Sequence, residues 1–353
     1  MTALPLPELS AEARRAAVMA SKFPRVRYMG SKYKLVERLA AVFSQLGGST
    51  AIDAFSGSGV VSYALKSLGY SVTSNDFLNF PGFIARAAVV NQGDALSDEE
   101  VESICGTPAD DRDFIQDKFD GLYFTADDRK FLDGAWSHIE LLEGHKRDLA
   151  IASLVLAAAR KQPRGVFTFT DLRYDDGRRD LRLSLKEHFR ETVKAYNGVV
   201  FDSGHECFTA TGDVFDLPTK GYDIAYLDPP YAPPRDDNCY IKRYHFLEGL
   251  SVYWRGQTIL ENTKTKKLAK RYTPFSYKHS VEDALFRTFK QFHESTIVLS
   301  YSSNAVPDLA TIERLLREVK EKVDVHTLEH KYSFGTHATA ARRNALEYII
   351  IGR

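Results

Sequence analysis

The feature that most constrains the fold is a strand–turn–helix–strand unit early in the chain. An apolar run at residues 49–55 predicts a short strand, which leads into the small-residue turn Ser56-Gly57-Ser58-Gly59. A helical pattern follows, residues 70–74 predict a second strand, and residues 35–46 ahead of this unit predict an amphipathic helix. Two strands joined by a helix in this way lie parallel in one sheet with a right-handed crossover. The unit therefore predicts an α/β fold built on a parallel sheet.

The alternation of strands and helices lapses over the next hundred or so residues and then returns. Helical patterns dominate the middle of the chain, and residues 145–160 give the clearest of them. The later elements that we predict are strands at 207–211 and 223–227, a helix at 244–254, a polar loop at 257–279, a helix at 281–291, a strand at 296–301, a helix at 310–322 and a hairpin of 323–329 with 345–351.

These patterns predict a catalytic domain that is interrupted by an insert. We expect residues 1–92 and 206–353 to form a doubly wound, Rossmann-like sheet, with the cofactor loop in the first part. Residues 93–205 would form an inserted, mainly helical domain. At 353 residues the chain is long enough for both.

The most specific chemical motif is Asp228-Pro229-Pro230-Tyr231, directly after a predicted strand. It puts a carboxylate at the carboxyl edge of the sheet, where α/β enzymes bind ligands. Two prolines fix φ and remove two backbone donors, so Asp228 and the Pro229 carbonyl can accept both hydrogens of an exocyclic amine. Tyr231 offers a flat face for a flipped-out base. The alternative is a proline turn with a solvent-facing aspartate.

A second motif, residues 53–59, follows a strand and opens a helix. Its small residues allow a ligand to approach the backbone, and the helix N-terminus presents free N–H groups. It contains no lysine and is not a phosphate loop, so it suits an amino-acid moiety with Asp53 near the ammonium. Asp76, about twenty residues on, is placed to bind ribose hydroxyls. Together they predict a nucleoside cofactor without a diphosphate; the turn alone would equally fit a tight strand–helix connection.

Composition adds weaker constraints. Lysine plus arginine and aspartate plus glutamate balance at 47 each, which is mild evidence against a nucleic-acid partner. The charges are unevenly distributed, however: acidic residues crowd positions 94–133, and basic ones cluster at 160–190 and 264–271. Such a dipolar chain is compatible with DNA binding.

Several function classes are disfavoured. No apolar run of about 18 residues could span a bilayer, and the N-terminus lacks an export signal. Three dispersed cysteines predict reduced thiols in a prokaryotic-type cytoplasm and show no zinc-ligand spacing, so we expect no metal. Methylation of cytosine C5 needs a nucleophilic cysteine beside a proline, and the chain has no Pro-Cys pair.

In these motifs the chain resembles the D12 class of N6-adenine DNA methyltransferases, the Dam-like family. The matching elements occur in the order typical of the α arrangement of amino-methyltransferases. They are Arg27-Tyr28-Met29-Gly30-Ser31-Lys32, residues 53–59, Asp76, Thr211-Gly212-Asp213-Val214-Phe215 and Asp228-Pro229-Pro230-Tyr231. The insert matches only in location, and the segment after the last motif is longer and more basic than in the shortest members.

The resemblance implies S-adenosylmethionine as the methyl donor. Lys32 would lie near its carboxylate, Asp76 would bind the ribose, and Asp213 would bind the adenine amine. The implied cofactor-binding residues are Tyr28, Lys32, Asp53, Phe55, Ser56, Gly57, Gly59, Asp76, Asp213 and Asp228, and the implied catalytic residues are Asp228, Pro229, Pro230 and Tyr231.

Two basic regions are candidates for contacts with DNA phosphates. One lies in the insert, where aromatic residues such as Phe167 and Tyr174 interrupt it, and the other lies in the polar loop. The predicted DNA-binding residues are Arg160, Lys161, Arg164, Arg178, Arg179, Lys264, Lys266, Lys267, Lys270 and Arg271. A solvated charged face is the alternative for either region.

We therefore predict a site-specific enzyme, associated with restriction–modification, that methylates adenine N6 of a flipped-out base in double-stranded DNA. Transfer would be a direct displacement without a covalent enzyme intermediate, driven by proximity and preorganised acceptors. The alternatives are an N4-cytosine enzyme, which a serine at Asp228 would have favoured, an amino-methyltransferase acting on RNA or protein glutamine, and an inactive DNA-binding module. The basic insert and the motif order favour DNA.

Overall fold

The computed structural model describes residues 7–162, 165–168, 177–232, 239–333 and 342–353. Within these ranges the α-helices are α1 (Ala11–Lys22), α2 (Val36–Phe43), α3 (Val60–Ser67), α4 (Asn79–Ala85), α5 (Asp98–Ile104), α6 (Phe114–Lys118), α7 (Ala126–Ile139), α8 (Gly144–Lys161), α9 (Arg179–Arg182), α10 (Leu185–Asn197), α11 (Tyr240–Ser251), α12 (Val281–Gln291) and α13 (Leu309–Arg317). The strands are β1 (Thr50–Asp53), β2 (Ser71–Asp76), β3 (Phe208–Thr211), β4 (Ile224–Leu227), β5 (Thr296–Ser302), β6 (Val323–Ser333) and β7 (Arg342–Gly352).

The described strands form one sheet in the order β3-β2-β1-β4-β5-β7-β6. The strands from β3 to β5 run parallel, and β7 pairs antiparallel with both β5 and β6. The strand order reverses direction at β1, which lies between β2 and β4. Ligands bind at such switch points, at the carboxyl ends of the strands. The predicted α/β fold with a doubly wound sheet is confirmed.

Helices cover both faces of the sheet, which explains why its central strands are apolar on both sides. Ala51 and Val72 pack into a core with α1, α2, α3 and the helices of the central region. Ile52 and Leu227 point the other way, into a second core that includes residues of α12 and α13. Neighbouring residues of β1 thus enter different cores, as the alternation of side chains along a strand requires.

The helices α5 to α10 occupy the region predicted as the insert. The longest of them, α8, packs against α10 and also against α4 and α11 of the catalytic region. Trp136 and Leu149 belong to the same core as Ala51 of β1. The helical content of this region agrees with the sequence pattern, and the division into domains at residues 93 and 205 stays a prediction.

Three helices differ in their ends from the sequence patterns. The helix predicted at 35–46 is shorter, and a 3₁₀ turn, Lys32–Lys34, precedes it. The helix predicted at 244–254 begins at Tyr240 and ends at Ser251, because Tyr253 and Trp254 adopt left-handed backbone conformations, with φ of 50° and 55°. The helix predicted at 310–322 already ends at Arg317.

Candidate active site

A cleft lies at the carboxyl edge of the parallel strands, and this cavity contains about 1100 Å³ of empty space, a figure that includes open solvent at its mouth. It is lined by the turn after β1, the end of β2, the turn after β4, the start of α11 and two segments outside the sheet, residues 28–32 and 270–277. Chain segments that are far apart in sequence meet here because the strands that carry them are parallel neighbours.

Asp53, the last residue of β1, is completely buried in the wall of this cavity. The hydroxyl of Ser62 donates a hydrogen bond of 2.7 Å to its Oδ2. Its Oδ1 has no hydrogen-bond partner among the described residues. Burial raises the pKa of Asp53 to about 7, and the neighbouring charge of Asp228 adds to the rise. The site therefore holds a buried carboxyl group with an unused acceptor.

Asp76, at the end of β2, fixes the small-residue turn. Its two carboxylate oxygens accept backbone hydrogen bonds of 2.9 Å, one from Gly57 and one from Leu78. Burial nevertheless raises the pKa of Asp76 to about 6. Each oxygen has a further lone pair, so the carboxylate can still accept from a ligand.

Glycine is required at Gly57 for two independent reasons. Its φ of +49° lies in the left-handed region. A Cβ atom at this position would also lie 2.8 Å from Cε1 of Tyr28, closer than carbon atoms pack. Gly57 thus lets the turn pack directly against the ring of Tyr28. Gly59 does not line the cavity; it caps the start of α3.

Asp228 directly follows β4, and both of its oxygens have partners. The ammonium of Lys32 lies 2.7 Å from Oδ2, and the hydroxyl of Tyr231 donates a 3.0 Å hydrogen bond to Oδ1. Lys32 is almost fully buried and also donates to the carbonyl of Gly30 at 2.7 Å. Burial raises the pKa of Asp228, whereas the Lys32 charge opposes that rise. The structure thus places the Lys32 ammonium on Asp228 rather than free in the cavity.

Three tyrosines hold the segment before β1 against the start of α11. The rings of Tyr28 and Tyr244 are stacked at 5.1 Å, and Tyr240 lies 5.3 Å from Tyr28. The Tyr244 hydroxyl accepts a 2.8 Å hydrogen bond from the backbone of Met29, and the Tyr240 hydroxyl donates to the Met29 carbonyl at 3.2 Å. Sequence reasoning missed Tyr240 and Tyr244. The predicted helix began at residue 244 and left Tyr240 outside it, and the backbone at Tyr244 is kinked, with φ of −111° and ψ of 16°.

The other predicted site residues also lie at this cavity. Phe55, Ser56, Asp213, Pro229 and Pro230 line it. Asp213 caps a 3₁₀ turn, Val214–Asp216, by accepting a 3.1 Å hydrogen bond from the backbone of Phe215.

A buried glutamate that the sequence analysis missed supports the cavity from behind. Glu248 on α11 is fully buried and accepts hydrogen bonds of 2.8 Å from the backbone and side chain of Asn79, at the start of α4. Arg271 pairs with it at 2.7 Å. The sequence signal for Glu248 was a single acidic residue within an apolar helical run. A charge that is buried in such a run needs a partner, so the pattern indicated a contact with another part of the chain.

Several of the basic residues predicted to bind DNA have partners within the protein. Lys161 is 3.3 Å from Asp128, Lys266 is 3.1 Å from Glu261, Arg179 pairs with Glu191, and Arg271 pairs with Glu248 as described above.

Other residues of that set differ in exposure. Lys264 and Lys270 are exposed, whereas Arg160 and Lys267 are half-buried. Arg178 also has a partner within the chain. Arg164 lies outside the described residues. Only part of the positive charge in these two basic regions is therefore exposed to solvent.

The cavity combines buried carboxyl groups with aromatic walls. Such a site suits a ligand that carries a positive charge and a second ligand that presents a flat ring. Among the described residues, no cluster of histidine, cysteine, aspartate and glutamate could hold a metal ion. No helix in the described part of the chain is both long and apolar enough to cross a membrane.

A doubly wound sheet that brings a glycine-containing turn and an Asp-Pro-Pro-Tyr turn into one cavity is the architecture of the Rossmann-like methyltransferases. The family model of the D12 class N6 adenine-specific DNA methyltransferases matches residues 28–304, and the chain belongs to this family. It is therefore a DNA methyltransferase that acts on adenine N6 and needs a methyl donor. The predicted family, reaction and enzyme class are confirmed.

Three curated relatives agree with this assignment. The type II methyltransferase M2.HphI of Haemophilus parahaemolyticus is 27% identical over 94% of this chain and 99% of its own length. The modification methylase LlaI of Lactococcus lactis is 23% identical over 92% of this chain, and the type II methyltransferase M.FokI of Planomicrobium okeanokoites is 25% identical over 83%. The alignments cover only 54% and 47% of the latter two proteins.

One solved structure, described as that of an RNA methyltransferase from Pyrococcus horikoshii, aligns over 98% of this chain and 99% of its own at 11% identity. Its TM-score is 0.36, and at that value the likeness supports no statement about this chain.

Proposed function

We propose that the methyl donor is S-adenosylmethionine and that it binds between the small-residue turn, Asp53 and Asp76. The observation that carries this proposal is the buried Oδ1 of Asp53, which has no partner among the described residues. A buried polar atom of this kind is normally satisfied. The sulfonium and ammonium of the donor have the charge that a buried carboxylate favours, and when bound the donor supplies an electrophilic methyl group.

The residues around the turn fit the rest of such a donor. Ser56 and Gly57 line the cavity, and their small size lets the backbone of the turn come close to a ligand. Asp76 keeps spare lone pairs for two ribose hydroxyls. Asp213 lines the same cavity and is placed to accept from the amine of the donor's adenine.

In this proposal Asp228 and the Pro229 carbonyl accept the two hydrogens of the target amine, and the ring of Tyr231 supports the flipped base. Burial raises the pKa of Asp228, and the Lys32 ammonium opposes that rise and so favours the charged acceptor for the amine. The arriving amine has to share or displace the present partners of Asp228, namely the Lys32 ammonium and the Tyr231 hydroxyl.

We further infer that residues 93–205 form the target-recognition insert and that the substrate is double-stranded DNA. The basic residues with exposed side chains would contact the DNA phosphates. Those that form internal ion pairs would instead hold the protein backbone of the two basic regions in place. The relatives named as modification methylases and type II methyltransferases favour a setting in a restriction–modification system. The three cysteines are unpaired, which fits a reducing cytoplasm.

Labelled S-adenosylmethionine incubated with duplex DNA tests the proposal. Label should enter DNA and be recovered as N6-methyladenine after digestion to nucleosides. Asp228→Asn should abolish transfer while donor affinity stays within about threefold, because its amide can no longer act as a charged acceptor. Asp216→Asn, at an exposed aspartate outside the cavity, serves as the matched control. Label that enters RNA or protein instead, or full activity of Asp228→Asn, would refute it.

A further inference from the structure

Residues 264–279, which we name the basic segment, reach the cavity with their second half, from Lys270 onward. The segment contains six lysines and arginines and no acidic residue. From Lys270 to Tyr277 most of its residues line the cavity. A stretch of this charge beside an active site is complementary to a polyanion.

Two side chains anchor the basic segment to the catalytic core. Arg271 pairs with the buried Glu248 at 2.7 Å, and its guanidinium lies 4.8 Å from the ring centre of Phe77. Phe275 is buried, edge-on to Phe55 at 5.1 Å and stacked on Phe215 at 5.8 Å. Because both anchors reach the walls of the cavity, the residues near them are held in fixed positions at its mouth.

Next to these anchors, an exposed aromatic ring lies on a half-buried one. Tyr272 is 60% exposed, and its ring is stacked on that of the half-buried Tyr277 at 5.4 Å with an angle of 15°. Tyr277 lines the cavity, and the ammonium of Lys270, which has a further contact within the chain, lies 5.0 Å from its ring centre. An exposed ring that is backed by a second ring and lies near a cation combines the two features with which proteins bind single-stranded nucleic acid, a stacking surface and a positive charge.

We propose that Tyr272 and Tyr277 form a stacking platform for an unpaired base of the DNA at the cavity mouth, with Lys270 beside its phosphate. The platform would hold a base next to the flipped target, and it is distinct from the face of Tyr231 proposed for the target itself. This inference rests on the proposed function in requiring a DNA substrate. Stacking on tyrosine is available to every base, so the platform would add affinity without reading sequence.

Two oligonucleotides that differ only in their bases test the platform. One is oligothymidylate of about 12 nucleotides, and the other is an abasic strand of equal length and charge. Their affinities are measured in the absence of the methyl donor. The wild type should bind the thymidylate about 5- to 100-fold more tightly. Tyr272→Ala should remove most of that difference and leave the affinity for the abasic strand unchanged, whereas Tyr272→Phe should retain it.

The matched control is Phe208→Ala, since Phe208 is also an exposed aromatic residue, 47% exposed, and lies at the start of β3, away from the cavity. It should change neither affinity. Equal affinities of the wild type for both strands would overturn the platform, as would an equal loss on both strands in Tyr272→Ala. If duplex DNA is still methylated in that case, the platform fails and the proposed function stands.

Discussion

Lys32 and Asp228 lie far apart in the sequence, and their side chains meet at 2.7 Å with little exposure to solvent. Two charges taken out of water favour the native state only when each neutralises the other, and removing one leaves an uncompensated buried charge. The pair therefore controls the ionisation of the carboxyl group that we propose accepts the target amine.

Lys32→Met should move the acid limb of the pH–rate profile to higher pH. Burial already raises the pKa of Asp228 and Lys32 opposes that rise, so without the ammonium more of the carboxyl group is protonated at neutral pH. We expect kcat at pH 7 to fall about tenfold or more and to recover as the pH is raised. Lys34→Met, at an exposed lysine two residues away, should leave the profile in place. An equal loss at every pH would contradict this role.

Asp53→Asn should become more stable relative to the wild type as the pH rises. Burial raises the pKa of Asp53 from 3.8 to about 7, so the folded wild type keeps a proton that the unfolded chain has lost. Wild-type stability from this group is intact below about pH 4 and declines up to about pH 7. Urea unfolding without ligand should show the difference shifting by about 2–3 kcal/mol between pH 5 and 8.

The exposed Asp216 supplies the control for this measurement, since Asp216→Asn should differ from the wild type by a constant amount across the same range. A constant difference for Asp53→Asn as well would show that the carboxyl group is not held protonated in the folded state.

At this scale, the sequence identified residues that belong to contiguous motifs and missed those defined by tertiary contacts. Asp53, Asp76 and Asp228 could be predicted because each follows a strand, and parallel strands end at one edge. The partner of Lys32 could not be predicted, because the contact depends on how the segment before β1 folds across β4. The same holds for Tyr240, whose place at the cavity depends on Tyr28 and Met29.

At the scale of elements, α11 connects several parts of the site through one buried carboxylate. Glu248 accepts hydrogen bonds from backbone N–H groups in the first turn of α4, which have no partner within that helix. It also holds the basic segment through its ion pair with Arg271. A single side chain thereby links two helices and the mouth of the cavity.

Glu248→Gln should loosen the basic segment while the helices stay folded. The amide can still accept from the start of α4, but it no longer balances the charge of Arg271. Because Arg271 is 38% exposed, we expect a loss of about 1–3 kcal/mol in the free energy of unfolding, less than for a fully buried pair. Hydrogen exchange of residues 264–279 should become faster. Glu294→Gln, which affects an exposed pair with Lys220, is the control; unchanged exchange in Glu248→Gln would contradict the anchoring role.

Element types were predicted better than element ends. Periodicity predicted the helix α12 with its observed bounds, because amphipathic spacing continues to its last turn. It extended the helix before Trp254 too far, because the left-handed backbone at Tyr253 and Trp254 turns the chain back onto Gly249. The Trp254 N–H donates a 2.7 Å hydrogen bond to the Gly249 carbonyl, and a Cβ at Gly249 would lie 2.2 Å from the Trp254 ring.

At the scale of the whole molecule, the net charge is zero, so attraction to DNA must come from where the charges lie. The internal ion pairs of Lys161, Lys266 and Arg271 remove part of the apparent basic surface. The composition could not show this division, because pairing depends on which acidic residues the fold brings close.

A triple variant with glutamine at Lys264, Lys267 and Lys270 should flatten the salt dependence of DNA binding. Each phosphate contact that is lost lowers the slope of log affinity against log salt by about 0.9, so the slope should fall by about 2–3. Fluorescence anisotropy at several salt concentrations measures it. Glutamines at Lys22, Lys220 and Lys322, all exposed and none lining the cavity, make the control. An unchanged slope in the first variant would exclude this patch from the interface.

The position of β1 inside the sheet, between β2 and β4, has a consequence for biosynthesis. Its partner β4 begins at Ile224, opposite Ala51, so a ribosome must complete well over half of the protein before β1 has neighbours on both sides. Until then a nascent chain presents an open, apolar strand edge that other chains can pair with. We expect fragments that stop before residue 224 to aggregate, and chaperones that shield extended segments to improve the yield of the complete enzyme.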